Sequence, residues 1–115
     1  MDESVIDKAI YAELQETAGA QFVAELVDTF LEEAPGMLSE LQSARAESHA
    51  ERFRRAAHSL KSNANTFGAV RLAALARELE LKGLDADAAR DTAALAALDA
   101  EYARAAAALK ELRHG

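Results

Sequence analysis

Apolar residues recur along this chain at steps of three and four, the spacing that gathers them on one face of an α-helix. Five helices are predicted on this basis. The first, near residues 4–17, carries Ile6, Ile10 and Leu14. The second begins near Ala20 and presents Phe22, Leu26 and Phe30, then Met37, Leu38 and Leu41. Pro35-Gly36 falls inside that pattern, and because the apolar face resumes beyond it a kink is expected rather than a stop. The third opens with the capping-box sequence Ser48-His49-Ala50-Glu51, in which Ser48 would accept from the Glu51 amide and Glu51 would reach back. Its seam is Phe53, Ala57, Leu60, Ala64 and Phe67, and Gly68 is placed to end it. The fourth shows Leu72, Leu75, Ala76 and Leu79 before Gly83, and the fifth, capped by Asp85 or Asp87, shows Leu95, Leu98, Tyr102, Ala105, Leu109 and Leu112.

Connections this short make neighbouring helices antiparallel. The expected fold is all-α: an antiparallel up-down four-helix bundle with a short additional N-terminal helix. A length of 115 residues makes residues 1–115 one domain with one core. With only 5% aromatic residues, that core is built from alanine, leucine and valine. The absence of cysteine removes disulfides, thiolate metal sites and cysteine nucleophiles. No run approaches the roughly 20 apolar residues of a membrane span, and the acidic start lacks the apolar segment of a signal peptide, so no membrane association and a cytoplasmic location are expected.

A net charge of −7 speaks against nucleic acid as a partner. Its distribution is uneven. Residues 52–83 carry seven bases, Arg52, Arg54, Arg55, Lys61, Arg71, Arg77 and Lys82, against Glu78 and Glu80 alone. A segment near +5 in an acidic chain suits an anionic partner or group, or else is the solvated outer face of two helices. The acids of the second helix, Asp28, Glu32, Glu33 and Glu40, read as solvated surface.

The chemistry lies beside the seam of the third helix. His58 follows seam residue Ala57 and so sits at the edge of the buried face, with Arg54, Lys61, Ser62 and Asn65 as its neighbours at −4, +3, +4 and +7. Glu80 bears the same relation to Leu79 on the fourth helix and can lie across from the histidine. A neutral imidazole keeps one ring nitrogen free as a nucleophile when the other is fixed as a donor. Glu80 would accept that donor, and Lys61 would neutralise oxygens of an incoming phosphoryl group. The alternative is a histidine that merely completes its hydrogen bonds with Glu80. His49 stands beside a helix cap and His114 at the terminus, and three histidines without ligand spacing predict no metal site. No P-loop and no GxGxxG is present, and no Ser-His-Asp set can be argued, so neither a nucleotide nor any other cofactor is expected.

The stretch "HSLKSNANTFGA" resembles the motif of the histidine-phosphotransfer (HPt) domain family, H-x-L-K-G-x-x-x-x-x-G, at His58, Leu60, Lys61 and Gly68. "RRAAH", "RLAALARELELKG" and "FLEEAPGML" extend the likeness along the chain. It departs at Ser62, where the family often has glycine, and at Asn63, where serine is common; both remain small and polar. The resemblance implies a bundle in which His58 accepts a phosphoryl group from a receiver-domain aspartate and passes it to another. Lys61 is then its charge partner, Glu80 the group that orients the imidazole, and Ser62, Asn65 and Gly68 the polar surround that leaves room for close approach. The implied partners are receiver domains of response regulators or hybrid histidine kinases, and the implied role is a phosphoryl carrier rather than an enzyme. Two other readings are a phosphoacceptor module charged directly by an ATP-bound kinase core, and an adaptor that binds receivers without chemistry. A monomer is expected, because one chain completes the bundle.

Overall fold

The structure is a computed structural model that describes residues 5–114, without the side chain of His114. Five α-helices and no strands occur among the described residues: α1 (Lys8–Ala18), α2 (Ala20–Ala46), α3 (Ala50–Phe67), α4 (Val70–Lys82) and α5 (Ala88–His114). α1 starts later than predicted because Asp7 caps it, its Oδ1 accepting from the amides of Ala9 and Ile10 at 3.0 and 3.3 Å. Ser4, the predicted start, lies outside the described residues. α2 runs unbroken through Pro35, as the resumed apolar face predicted.

α2 packs on α3 and α5, and α4 on α3 and α5, which closes a ring of four helices around the core, while α1 lies against α2 and α3. The predicted seam of α3 is buried at every position, with Ala56 added to it. Leu95, Leu98, Ala105 and Leu109 of α5 are buried, and Tyr102 and Leu112 pack at its edge. On α2 the buried face is Val23, Val27, Phe30, Ala34, Leu41 and Ala44. Phe22, predicted to lie on that face, is half exposed, because the face turns one residue further round the helix. Phe30 anchors the centre with ring centroids 5.5 Å from Phe67 and 6.0 Å from Tyr102.

The capping box at Ser48 does not form. His49 N–H donates to the Ala44 carbonyl and Ser48 N–H to that of Arg45, the hydrogen-bond pattern of a Schellman ending for α2. That ending places Ser48 in the left-handed position at φ 54°, so it closes α2 instead of opening α3. The N-cap passes to His49, whose Nδ1 accepts from the Arg52 amide at 3.3 Å, and Glu51 pairs with Arg54 and Arg55. The same closing pattern ends α3, with Gly68 left-handed at φ 82° and its amide and that of Ala69 donating to Asn65 and Ala64. Gly83 ends α4 as expected, and Asp87 supplies the cap of α5 by accepting from the Ala89 amide at 3.0 Å.

Two acids on α5 are buried. Asp91 accepts from the Asp85 amide at 3.0 Å and pairs with Nε of Arg45 at 2.8 Å, tying the α4–α5 connection to the end of α2. Glu101 lies 3.6 Å from Arg104. No helix among the described residues is long and apolar enough to cross a membrane.

Candidate functional site

Ala57 and Leu60, fully buried, seat the middle of α3, and Ala76 and Leu79 seat the facing turns of α4. The tight turn at Gly68 and Ala69 brings the two helices back on one another. His58 and Glu80, 22 positions apart, therefore meet: imidazole Nδ1 lies 2.8 Å from Glu80 Oε2. The second carboxylate oxygen, Oε1, lies 2.8 Å from the ammonium of Lys61. One carboxylate thus holds two of the cation-forming side chains of α3, His58 and Lys61.

A carboxylate only accepts, so the proton of this contact resides on Nδ1, and in the neutral ring the lone pair is then on Nε2. The imidazole side chain is 57% exposed while Glu80 is 19% and Lys61 24% exposed, so the ring stands at the surface over a largely covered carboxylate. Lys61 first, and His58 second, hold the Glu80 carboxyl below the ordinary glutamate value. The group stays ionised at neutral pH and keeps its role as acceptor.

The other residues singled out from the sequence divide. Ser62 and Asn65 are exposed along the ridge that carries His58, but neither joins the His58–Glu80–Lys61 group; the Ser62 carbonyl accepts from Thr66 Oγ1 at 3.0 Å. Gly68 lies apart from the imidazole and is buried under the start of α1. The Asp7 amide donates to its carbonyl at 2.8 Å, and a β-carbon built on Gly68 would stand 2.8 Å from the Asp7 carbonyl oxygen and 3.1 Å from Ile10 Cβ. The close approach it permits is that of the chain's own N-terminal segment.

The positive segment is largely spent on internal pairs. Arg52 reaches Glu40 at 2.8 Å and Glu47 at 2.5 Å, Arg54 and Arg55 reach Glu51, Lys61 reaches Glu80, and Lys82 lies 3.8 Å from Asp85. Two acids of α2 read as free surface are likewise partnered, Glu40 with Arg52 and Asp28 with Arg113 at 2.8 Å. Sequence reasoning did not find the Lys61–Glu80 pair; the signal available was that Lys61 shares the helix face of His58 and so faces the same carboxylate. It also missed a groove of about 450 Å3 between α2 and α3, lined among others by Met37, Arg55, Ala56 and Ser59. Among the described residues no group of three or more histidine or acidic side chains is placed to hold a metal ion.

Comparison with known proteins bears on this geometry. The sequence matches the family model of the Hpt domain over residues 25–108. The crystal structure of histidine-containing phosphotransfer protein B (HptB) from Pseudomonas aeruginosa PAO1 is similar at a TM-score of 0.82 and 28% sequence identity, over 98% of this chain and 97% of that one. No curated protein sequence gives a significant match.

Proposed function

We propose, from the premise that this chain belongs to the Hpt domain family, that it is a histidine phosphotransfer carrier which takes a phosphoryl group on His58 from a receiver-domain aspartate and passes it to another. The observation that carries the reading is the Glu80 contact to Nδ1 at 2.8 Å beneath a ring that is mostly exposed. It supports the Nδ1–H tautomer, with Nε2 as the nucleophile.

In the transfer Nε2 attacks phosphorus in line with the acyl-phosphate bond of the partner. The N–P bond forms as the P–O bond breaks, and the aspartate carboxylate leaves with the electron pair. Nδ1 keeps its proton, so the ring becomes cationic, and the Glu80 carboxylate stabilises the charge where it develops. The return step to a second aspartate is the reverse. Positioning supplies most of the acceleration, since the receiver brings an activated phosphoryl and the bundle brings a fixed nucleophile. Lys61 balances charge at the site, Ser62 and Asn65 form the small polar surround over which a receiver approaches, and Gly68 seats α1 at the far end of the same helix.

The scaffold of this reading is an antiparallel up-down four-helix bundle with a short additional N-terminal helix, formed by residues 1–115 as one domain. The ring of helix contacts supports it, as do the pairings that join Asp28 to Arg113 at one end of α2 and Arg45 to Asp91 at the other. The carrier works as a cytoplasmic monomer without a nucleotide site of its own and is consumed and regenerated stoichiometrically rather than acting as an enzyme. The groove between α2 and α3, next to Arg55 and Ser59, offers the receiver an apolar floor with charged walls.

The test is intact-mass spectrometry at neutral to alkaline pH, where phosphohistidine survives, after incubation with a phosphorylated receiver domain. The wild type should gain one phosphoryl group and His58→Gln none. A folded His58→Gln protein that still gains phosphate would overturn the assignment.

A further inference from the structure

The exposed ridge of α3 carries several small polar side chains, and they differ in what their donors are already doing. Thr66 Oγ1 donates to the Ser62 carbonyl at 3.0 Å and Asn63 Nδ2 to the Ser59 carbonyl at 2.8 Å, each four residues back along its own helix. Thr92 does the same to Ala88 on α5. Such back-bonding occupies the donor with the backbone. Ser62 is exposed, and among the described residues its hydroxyl makes no such bond. It is an uncommitted donor one turn from His58.

Helix geometry sets which way that donor leans. Four residues advance about 6 Å along the axis and bring two side chains to one face, roughly 5–6 Å apart at Cβ. Every Cα–Cβ bond tilts toward the helix N-terminus, so Ser62 leans back over His58. Asn65, seven residues on, stands roughly 10 Å along the axis. On the other side Arg54 leans away from the ring and pairs with Glu51, as does Arg55. Ser59 is turned about 100° round the helix and lines the groove with α2. Of the donors along this ridge, the Ser62 hydroxyl is the one both unoccupied and inclined toward the imidazole.

We propose that Ser62 takes part in the transfer directly: its hydroxyl donates a hydrogen bond to an oxygen of the phosphoryl group on His58 Nε2. This rests on His58 as the phosphoacceptor. The hydroxyl keeps its proton and forms no bond to phosphorus. It stabilises the negative charge that the phosphoryl oxygens carry in the transition state and in phosphohistidine. Glycine, which the family motif often has at this position, supplies no donor, so the contact follows from the serine that this chain has in its place.

The experiment compares Ser62→Ala and Ser62→Gly with the wild type. Alanine removes the hydroxyl and keeps the β-carbon, and as the stronger helix former it leaves the fold in place; glycine removes both. Phosphoramidate serves as donor, so that no partner surface enters: its zwitterion loses ammonia as the P–N bond breaks and Nε2–P forms. Both variants are expected to take up phosphate on His58 roughly threefold to tenfold more slowly, the range that one hydrogen bond supplies. Phosphorus-31 spectra of the phosphorylated proteins give a readout that altered stability does not move. Loss of a donor to the phosphoryl dianion should shift the titration of that group to higher pH in both variants. Uptake by Ser62→Ala at the wild-type rate, or a titration that stays in place, overturns the proposal. So does slow uptake by Ser62→Ala beside wild-type or faster uptake by Ser62→Gly, since the side chain would then act by its bulk. Phosphorylation of a folded His58→Gln under the same conditions overturns the phosphoacceptor reading beneath it, whereas an inert His58→Gln with an unaffected Ser62→Ala overturns the role of Ser62 alone.

Discussion

Replacing Gly68 by alanine tests whether the turn between α3 and α4 is held by the chain's own N-terminal segment. Two costs add. Gly68 sits at φ 82°, ψ 18°, a left-handed conformation that costs an L-residue about 1–2 kcal/mol. The new β-carbon would also stand 2.8 Å from the Asp7 carbonyl oxygen, a backbone atom that cannot swing aside as a side chain can. Segment 5–10 must therefore shift, which weakens the Asp7 to Gly68 hydrogen bond of 2.8 Å, worth about 0.5–1.5 kcal/mol. Alanine returns about 0.4–1 kcal/mol by restricting the unfolded chain. The net loss is about 0.5–3 kcal/mol, a fall of roughly 0.3–2 M in urea midpoint for a slope near 1.5 kcal/mol/M. Urea unfolding followed by circular dichroism measures it, and amide exchange should show protection lost first in α1. Gly36→Ala is the control: it lies inside α2 with nothing within 4 Å of the added carbon, and is expected to gain about 0.5–1 kcal/mol. A loss below about 0.5 kcal/mol for Gly68→Ala would refute the claim that α1 is seated on this glycine.

Asp91→Ala removes the anion of the Arg45 pair and the acceptor of the Asp85 amide together. Because Arg45 keeps 22% exposure the expected loss is about 1–3 kcal/mol, short of that for a fully buried pair, read as a lower urea midpoint. The Glu80 group predicts a pH dependence. Its carboxyl is held below the ordinary value of 4.5 by Lys61 and then His58, so the stabilisation it contributes is complete above that value and is lost as pH falls through the lower folded value. Between about pH 5 and pH 3 the wild type should lose stability more steeply than Glu80→Gln; parallel curves would show that the carboxylate draws no net stability from its partners.

Helix existence was legible in the sequence because it depends on local periodicity, and a seam such as Phe53, Ala57, Leu60, Ala64 and Phe67 needs no knowledge of its partner to be recognised. Gly68 and Gly83 as helix ends were legible for the same reason: left-handed closure is a property of a few consecutive residues. So was the pairing of His58 with Lys61 on one helix face, since three residues span almost one turn. What local spacing cannot encode is which groups from distant segments arrive. Ser48 looked like the start of α3 and is the end of α2, because a residue between two helices can satisfy only one of them and the orphan carbonyls of α2 claim it. Phe22 lies outside the core because the rotation of α2 is set by Val23 and Val27 meeting their neighbours, a choice made by packing. The charge of residues 52–83 was readable as a sum, but how it is spent was decided partly by Glu47 and Glu51, close by in the chain, and partly by Glu40 and Glu80, brought within reach by helix packing. The sequence by itself determined that a histidine and a lysine share one exposed edge of a helix. Only the tertiary structure decided that a single carboxylate, 22 positions from the histidine, takes both of them, because a contact across two helices depends on how they rotate and slide against each other, and that is settled by the whole core at once.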